Sequence, residues 1–254
     1  MNGYKPKPDK IKLLNNNQNI NMKLRFNLLL LLIMQLFISN LSSGQRPSPE
    51  LLDPNNHELV MIDMQGQMAF ATGNIDITLY RNNVALIAGA SQIFKVPVVL
   101  TAVNSKTFSG PFFPEILEIY PPATNTYYER TTMNTWEDQG AYKAITGKGK
   151  KKIVFAGSWT SVCIVGPALS ASADGYDVYI ITDACSDVSK EAHEMAIQRM
   201  LKAGIKTMTA IQYLLELQRD WSRQETYKAV TDLVLKHGGA YGLGVQYARE
   251  MLKH

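Results

Sequence analysis

Apolar runs of strand length alternate along the chain with segments of helical periodicity. The runs predict strands over 57–63, 95–101, 151–157, 176–183 and 207–211. Apolar positions at helical spacing predict helices over 77–94, 114–120, 137–147, 160–175, 189–203, 212–222 and 225–253. Strands that alternate with helices predict an α/β fold of three layers, Rossmann-like, with a mostly parallel sheet and helices on both faces.

The first 44 residues differ from the rest and read as a leader. A positively charged start at Met22 precedes an apolar run over 28–38, and small residues follow it. This order is typical of a secretory signal, and the run is shorter than the ~20 residues of a membrane-spanning helix. We expect a secreted or periplasmic protein whose mature domain covers 45–254. The alternatives are a membrane-anchored protein with an uncleaved leader, or a tail with no targeting role.

The charge of the chain is concentrated in that leader. The whole chain of 254 residues carries a net charge of +4, and 46% hydrophobic with 19% charged residues is an ordinary globular balance. The leader holds six basic side chains and one acidic one, so the remainder carries −1. The basic leader therefore explains the net charge, and the body shows no general bias toward nucleic acid.

Polar residues at the carboxyl ends of the predicted strands mark a candidate site. Asp63, Thr101, Asp183 and the Cys163 segment fall there, at the edge where ligands of parallel sheets bind. Cys163 follows a strand-to-helix turn, and a helix N-terminus would lower its pKa and supply oxyanion donors. The alternatives are a small buried side chain for Cys163 and a helix cap for Asp63.

Several motifs in order resemble the isochorismatase-like cysteine hydrolases, and the YcaC-like branch in particular. The resemblance covers about residues 57–221, and the motifs are Ile62-Asp-Met-Gln65, Val96-Pro-Val-Val-Leu-Thr101, Gly157-x-x-Thr160-x-x-Cys163, Pro167-Ala-Leu-Ser-Ala, Gly175-Tyr-Asp-Val, Thr182-Asp-Ala and Arg219-Asp-Trp.

The resemblance implies a catalytic mechanism. Cys163 would attack a carbonyl, such as that of an amide, and form a thioester, while Asp63 would carry the proton. A non-proline cis peptide bond would lie at Ser158–Trp159, and the N–H groups of Trp159 and Cys163 would form the oxyanion hole.

The basic residue of the site departs from the usual pattern of the family, which has lysine there. The matching segment offers Arg130, as in YcaC-like members. Arginine stays charged, so it would hold Asp63 and favour the thiolate electrostatically rather than shuttle protons. The alternative is an ordinary ion pair on the surface or in a loop.

The resemblance also bears on ligands and assembly. Gln65, Trp136 and Thr160 are expected to line the pocket for a small-molecule substrate. The segment after the second strand lacks histidine, and no glycine-rich nucleotide loop occurs, so we expect neither a metal nor a cofactor. A homo-oligomer, tetramer or octamer, is implied, with Phe112–Phe113 and the C-terminal helices as candidate contact surfaces.

The second cysteine leaves other hypotheses open. Cys185 could be a structural free thiol, or it could form a disulfide with Cys163 that abolishes the proposed chemistry. A redox-active thiol pair is a related alternative. A catalytically silent oligomer that serves as a binding or structural protein is another, and it is motivated by the arginine at position 130.

Overall fold

The computed structural model describes Asn27 and residues 46–252. The chain divides into two units, residues 1–49 and 50–254, and the second unit contains the fold described below. The apolar run over 28–38 lies outside the described residues, so export and the domain boundary stay predictions. In the part of the chain that is described, no helix has the length and apolar character needed to cross a bilayer.

The described strands form one sheet of six, in the order β3-β2-β1-β4-β5-β6. Every pairing is parallel, which confirms the predicted α/β class and makes the sheet wholly rather than mostly parallel. The strands are β1 (His57–Ile62), β2 (Val98–Val103), β3 (Tyr127–Arg130), β4 (Lys152–Ser158), β5 (Asp177–Ser186) and β6 (Lys206–Met208).

Helices cover both faces of this sheet. They are Gly66–Phe70, Ile77–Ile93, Pro114–Ile119, Gln139–Thr146, Val165–Ala173, Lys190–Lys202, Ala210–Gln218, Gln224–His237 and Gly239–Met251, with a 3₁₀ turn at Thr135–Glu137 and a π-helical turn at Thr160–Ile164.

The central strand β1 explains the layered core. Successive side chains of β1 alternate between the two faces of the sheet. All of them are buried, because both faces are covered. Leu59 and Met61 pack into one hydrophobic cluster, and Val60 and Ile62 into the other. A strand covered on both faces reads as a continuous apolar run, which is the pattern that predicted it.

Two strands differ from the sequence prediction. The edge strand β3 was not predicted, because it is short and lacks an apolar run: its two tyrosines are half-buried, Glu129 is exposed and only Arg130 is buried. Strand β5 continues to Ser186 through a register irregularity opposite β4. Asp183 therefore lies inside the strand, where its carboxylate accepts a hydrogen bond of 2.7 Å from the Ala210 N–H. Its carboxylate still lies at the carboxyl end of the neighbouring strand β6, because Ala210 begins the helix that follows β6.

Candidate active site

The sheet order brings together three side chains that are far apart in sequence. Asp63 directly follows β1, Arg130 ends β3, and Cys163 lies on the turn after β4. All three are at most 2% exposed. Since β2 separates β3 from β1, the long Arg130 side chain reaches across β2 to meet Asp63. The structure thus places the three predicted catalytic residues at one buried location.

Asp63 has an unusual backbone conformation for its position. Its φ of 53° lies in the left-handed region, which aspartate tolerates better than most residues. Its N–H donates to the Thr101 carbonyl over 3.0 Å, and its own carbonyl accepts from Gln65 N–H over 2.8 Å. The chain thus turns sharply at the end of β1 and leaves the carboxylate at the sheet edge.

Gly157 permits the close approach of the strand that leads to Cys163. A Cβ atom there would lie 1.8 Å from the Ile62 carbonyl oxygen, and the φ of 149° is one that other residues rarely adopt. Only glycine fits without displacing β1 or β4. This residue therefore sets the separation between the Asp63 and Cys163 segments.

The Asp63–Arg130 pair is a fully buried ion pair. The Arg130 guanidinium donates to Asp63 Oδ2 and to the Thr132 carbonyl, and neither charged side chain is exposed. Asp63 Oδ1 and Arg130 Nε have no hydrogen-bond partner of ordinary geometry among the described residues. Buried polar atoms are rarely left unpaired, so both atoms are candidates for contact with a substrate or an ordered water.

The protonation states follow from burial. Desolvation raises the pKa of Asp63 to about 6, although Arg130 and then Cys163 lower it. Desolvation, and secondarily the Asp63 charge, raise the pKa of the Cys163 thiol to about 12 against the lowering effect of Arg130. The expectation of a lowered thiol pKa was therefore wrong. At neutral pH the proton resides on sulfur and the carboxylate is ionised.

The predicted cis peptide bond is present between Ser158 and Trp159. The Cys163 N–H, one of the two predicted oxyanion donors, donates to the Trp159 carbonyl over 2.9 Å. It is therefore engaged within the turn, and any oxyanion would have to share it. The pairing of Trp159 and Cys163 as an oxyanion hole stays a prediction.

Gln65, expected to line the substrate pocket, has a structural position. It is fully buried, and its side-chain Nε2 donates to the Gly110 carbonyl over 2.6 Å. Its Oε1 accepts from the Val103 N–H over 3.1 Å. The amide therefore holds the loop after β2 against the start of the Gly66–Phe70 helix, and its hydrogen-bonding capacity is used there rather than toward a ligand.

Trp136 lies away from the predicted site. Its indole N–H donates to the Asp174 carboxylate over 2.8 Å, and its ring packs edge-on against Tyr142 and Tyr176. Asp174 and Tyr176 lie just before β5, at the amino end of the sheet. The structure therefore does not bring Trp136 to the carboxyl edge, where Cys163 lies.

Thr160 belongs to a buried hydroxyl network that the sequence did not reveal. Its hydroxyl donates to the Ser186 carbonyl over 3.0 Å and lies 2.8 Å from His193 Nδ1. Since a hydroxyl has one proton, the imidazole Nδ1–H is the donor to Thr160. Ser158 accepts from the Ser186 hydroxyl over 2.8 Å and lies 2.7 Å from the Tyr80 hydroxyl. Thr160 thus attaches the turn to the end of β5 and to the helix that follows it.

Cys163 and Cys185 are both buried free thiols. Cys185 pairs with Gly157 in the β4–β5 register, and its pKa is raised to about 12 by burial. The disulfide alternative is therefore not realised in this structure. Among residues 46–252, no group of three or more histidine, cysteine or acidic side chains is arranged to hold a metal ion.

A parallel sheet covered on both faces, with a carboxylate, a guanidinium and a thiol enclosed at its carboxyl edge, defines an α/β protein with an enzyme-like polar centre. The chain belongs to the isochorismatase family, a family of hydrolases: residues 58–212 match the model of the isochorismatase domain. Sequence and structure both place it in the YcaC-like branch.

Two bacterial relatives support this placement. YcaC of Escherichia coli is 32% identical over 171 residues, which cover 67% of this chain and 81% of that protein. Its crystal structure, described as an octameric hydrolase of unknown specificity, has a TM-score of 0.75 and covers 82% of this chain and 100% of that one. YcaC from Pseudomonas aeruginosa, solved with hexane-2,5-diol and covalent acrylamide, is 28% identical, with a TM-score of 0.73 and coverage of 80% and 98%.

Proposed function

We propose that this family hydrolase uses Cys163 to cleave the C–N bond of a small amide, or of a related carbonyl compound, without a cofactor. The observation that carries the proposal is the enclosure of Cys163 with an ionised carboxylate and a guanidinium at the carboxyl edge of the sheet. Such an arrangement supplies a nucleophile, a proton acceptor and a fixed positive charge.

The protons of the proposed reaction pass through Asp63. As sulfur bonds to the substrate carbonyl carbon, the thiol proton moves to the Asp63 carboxylate. The tetrahedral intermediate collapses, the C–N bond breaks, and Asp63 returns the proton to the departing nitrogen. Water then attacks the thioester and gives a proton to Asp63. The C–S bond breaks, the carboxylic acid departs, and Asp63 returns the proton to sulfur to restore the thiol. A carboxyl with a pKa of about 6 is ionised at neutral pH and fits the first step.

Arg130 has an electrostatic part in this proposal. Its guanidinium holds Asp63 and partly offsets the effect of burial on the pKa values of Asp63 and Cys163. Arginine is protonated in both halves of the reaction, so it transfers no proton. Its buried Nε–H, which lacks a partner among the described residues, is free to donate to a substrate oxygen.

One relative supports the presence of a reactive nucleophile in this branch of the family. The Pseudomonas aeruginosa protein was obtained with covalent acrylamide, an electrophile that reacts with nucleophilic side chains. The rival function, a catalytically silent oligomer, is motivated by the arginine at position 130. It predicts a folded protein in which Cys163 shows no enhanced reactivity.

We infer that the protein assembles as a homo-oligomer, as its octameric E. coli relative does. Phe112 and Phe113 do not supply the contact surface, because both are buried in the chain's own core. The last helix does present a suitable surface, since Leu243, Tyr247 and Met251 are 53%, 63% and 79% exposed. Light scattering of the purified protein tests this; a monomer at micromolar concentration would contradict it.

We also propose export, because of the signal-like order around the apolar run over 28–38. Fractionation of cells that express the full chain tests it. Mature protein outside the cytoplasm, with a new N-terminus near residues 43–45, is the expected result. Full-length protein in the membrane fraction would favour the anchored alternative, and uncleaved protein in the cytoplasm would contradict both.

A panel of small amides tests the central activity. We expect turnover of at least one amide by the wild type, and a thioester adduct on Cys163 detectable by mass spectrometry after acid quenching. The variants C163S and D63N should lose turnover and keep the fold. The matched control is C185S, which changes the other buried thiol and should keep activity. Full activity in D63N would contradict the proton-transfer role.

A further inference from the structure

The turn that carries Cys163 is fixed from outside by a buried carboxylate. Ser161 donates its backbone N–H to Asp187 Oδ2 over 2.7 Å and its hydroxyl to Oδ1 over 3.1 Å. Asp187 is fully buried and also accepts the Val188 N–H over 2.8 Å. Three donors therefore converge on one carboxylate, which meets the need of a buried charge for partners.

Asp187 is itself held in place by the loop before the Ile77–Ile93 helix. The Asn74 side chain accepts the Asp187 N–H over 2.7 Å and donates to the Cys185 carbonyl over 3.2 Å. The Gly73 N–H donates to the Asp187 carbonyl over 2.8 Å. A Cβ on Gly73 would lie 2.5 Å from the Val188 carbonyl oxygen, so this loop packs tightly against the Asp187 segment.

The remaining amides of the turn do not replace this anchor. The N–H groups of Val162, Cys163 and Ile164 all converge on the Trp159 carbonyl, at 3.1, 2.9 and 3.3 Å. These bonds define the shape of the turn but tie it only to itself. The Ser161–Asp187 pair, together with the Thr160 hydroxyl, attaches the turn to the end of β5.

We propose that Asp187, supported by Asn74, is a positioning residue that sets where the Cys163 sulfur stands relative to Asp63. The inference rests on the proposed nucleophilic role of Cys163. Asp187 acts through Ser161 and touches no reacting atom. Displacement of a reacting group by about 1 Å can cost about a hundredfold in rate, so loss of this anchor should slow the reaction of Cys163.

Acrylamide addition to Cys163 tests this without knowledge of the substrate. In this addition the sulfur bonds to the terminal alkene carbon, and the thiol proton is passed by way of Asp63 to the neighbouring carbon. The rate is followed by intact mass spectrometry on the full, folded protein. We expect D187N to lower the rate constant about tenfold or more at every pH between 5 and 8. The pH midpoint should be unchanged, since Asp63 remains the base.

Asp183 provides the matched control. It lies on β5, which ends one residue before Asp187, and its carboxylate also accepts a backbone N–H at the start of a helix, but that helix is Ala210–Gln218. We expect D183N to lower the melting temperature while its acrylamide rate stays within about twofold of the wild type. A purely structural role for Asp187 would give the two variants the same result, with rates close to the wild type.

A second variant covers the case in which D187N does not fold. N74A keeps the Asp187 carboxylate and removes its support, so we expect a smaller loss of rate, about threefold. If whichever of the two variants folds reacts with acrylamide at the wild-type rate, the positioning role of Asp187 is overturned and the nucleophilic role of Cys163 is not. A wild-type Cys163 that reacts no faster than free cysteine would instead overturn the nucleophilic role, and the inference with it.

Discussion

At the scale of single residues, the site depends on a charge balance between three enclosed side chains. Burial alone would keep Asp63 protonated to a higher pH, and Arg130 is the main group that opposes this. The carboxylate is consequently a base of intermediate strength next to a protonated thiol. A base that is ionised just below neutral pH suits proton abstraction at physiological pH.

The arginine makes a prediction about pH dependence. R130Q removes the charge that lowers the pKa of Asp63, so this pKa rises above about 6. The fall in the rate of Cys163 alkylation on the acid side of the pH profile should then begin at a higher pH than in the wild type. R130K, which keeps the charge, should hold this fall near pH 6. A pH series of alkylation rates measures this, and a fall at the same pH in R130Q and the wild type would contradict the electrostatic role.

Much of this site was predictable from the sequence, and the predictions that were wrong have physical causes. Asp63, Arg130 and Cys163 meet as predicted, because parallel strands bring their carboxyl ends to one edge. The thiol pKa was misjudged because a turn motif reveals a helix N-terminus but not the burial around it. Trp136 was misplaced because sequence position does not reveal that its segment runs to the opposite end of the sheet.

At the scale of elements, the strand pairings position the chemistry. The apolar runs predicted β1, β2 and β4 because buried strands have a clear pattern, whereas β3 is a short edge strand without one. The same limit applies to β5. Its pattern breaks at Asp183, and only the pairing of Cys185 and Ser186 with β4 extends the strand to Ser186.

Gly157 is the point where this pairing is most easily disrupted. G157A would place a methyl group 1.8 Å from the Ile62 carbonyl oxygen, so we expect a loss of about 3 kcal/mol or more in the free energy of unfolding. G149A is the control: its φ of 67° is also positive, but beyond its two chain neighbours nothing lies within 4 Å of the added carbon. It should cost only about 1 kcal/mol. Urea denaturation measures both, and equal losses would contradict the steric argument.

At the scale of the whole molecule, β1 carries a second buried carboxyl, at the end opposite the site. Glu58 is fully buried, and neither of its carboxylate oxygens has a hydrogen-bond partner among residues 46–252. Desolvation raises its pKa to about 8, although Lys148 and Lys150 lower it. The folded state therefore binds this proton more tightly than the unfolded chain does, and this couples global stability to pH.

The sign of that coupling gives a prediction. The protonated Glu58 carboxyl contributes fully to the free energy of unfolding below the unfolded pKa of about 4.5. This contribution is lost as the pH rises toward about 8. The loss should approach about 1.4 kcal/mol per pH unit within that window. E58Q should flatten the decline, whereas the exposed E225Q should not. Denaturation between pH 5 and 8 measures this; the same slope in E58Q and wild type would contradict it.

The central claim is that Cys163 is a nucleophile whose proton is taken by Asp63. The most direct measurement is iodoacetamide labelling of the folded protein across a pH series, both as purified and after added reductant, with the modified cysteine identified by peptide mass spectrometry. We predict fast labelling of Cys163 alone, rising with pH to a plateau with a midpoint near 6, and loss of that plateau in D63N. Labelling that is slow and rises steadily toward alkaline pH in both proteins, or that reaches Cys163 and Cys185 only after added reductant, would contradict it.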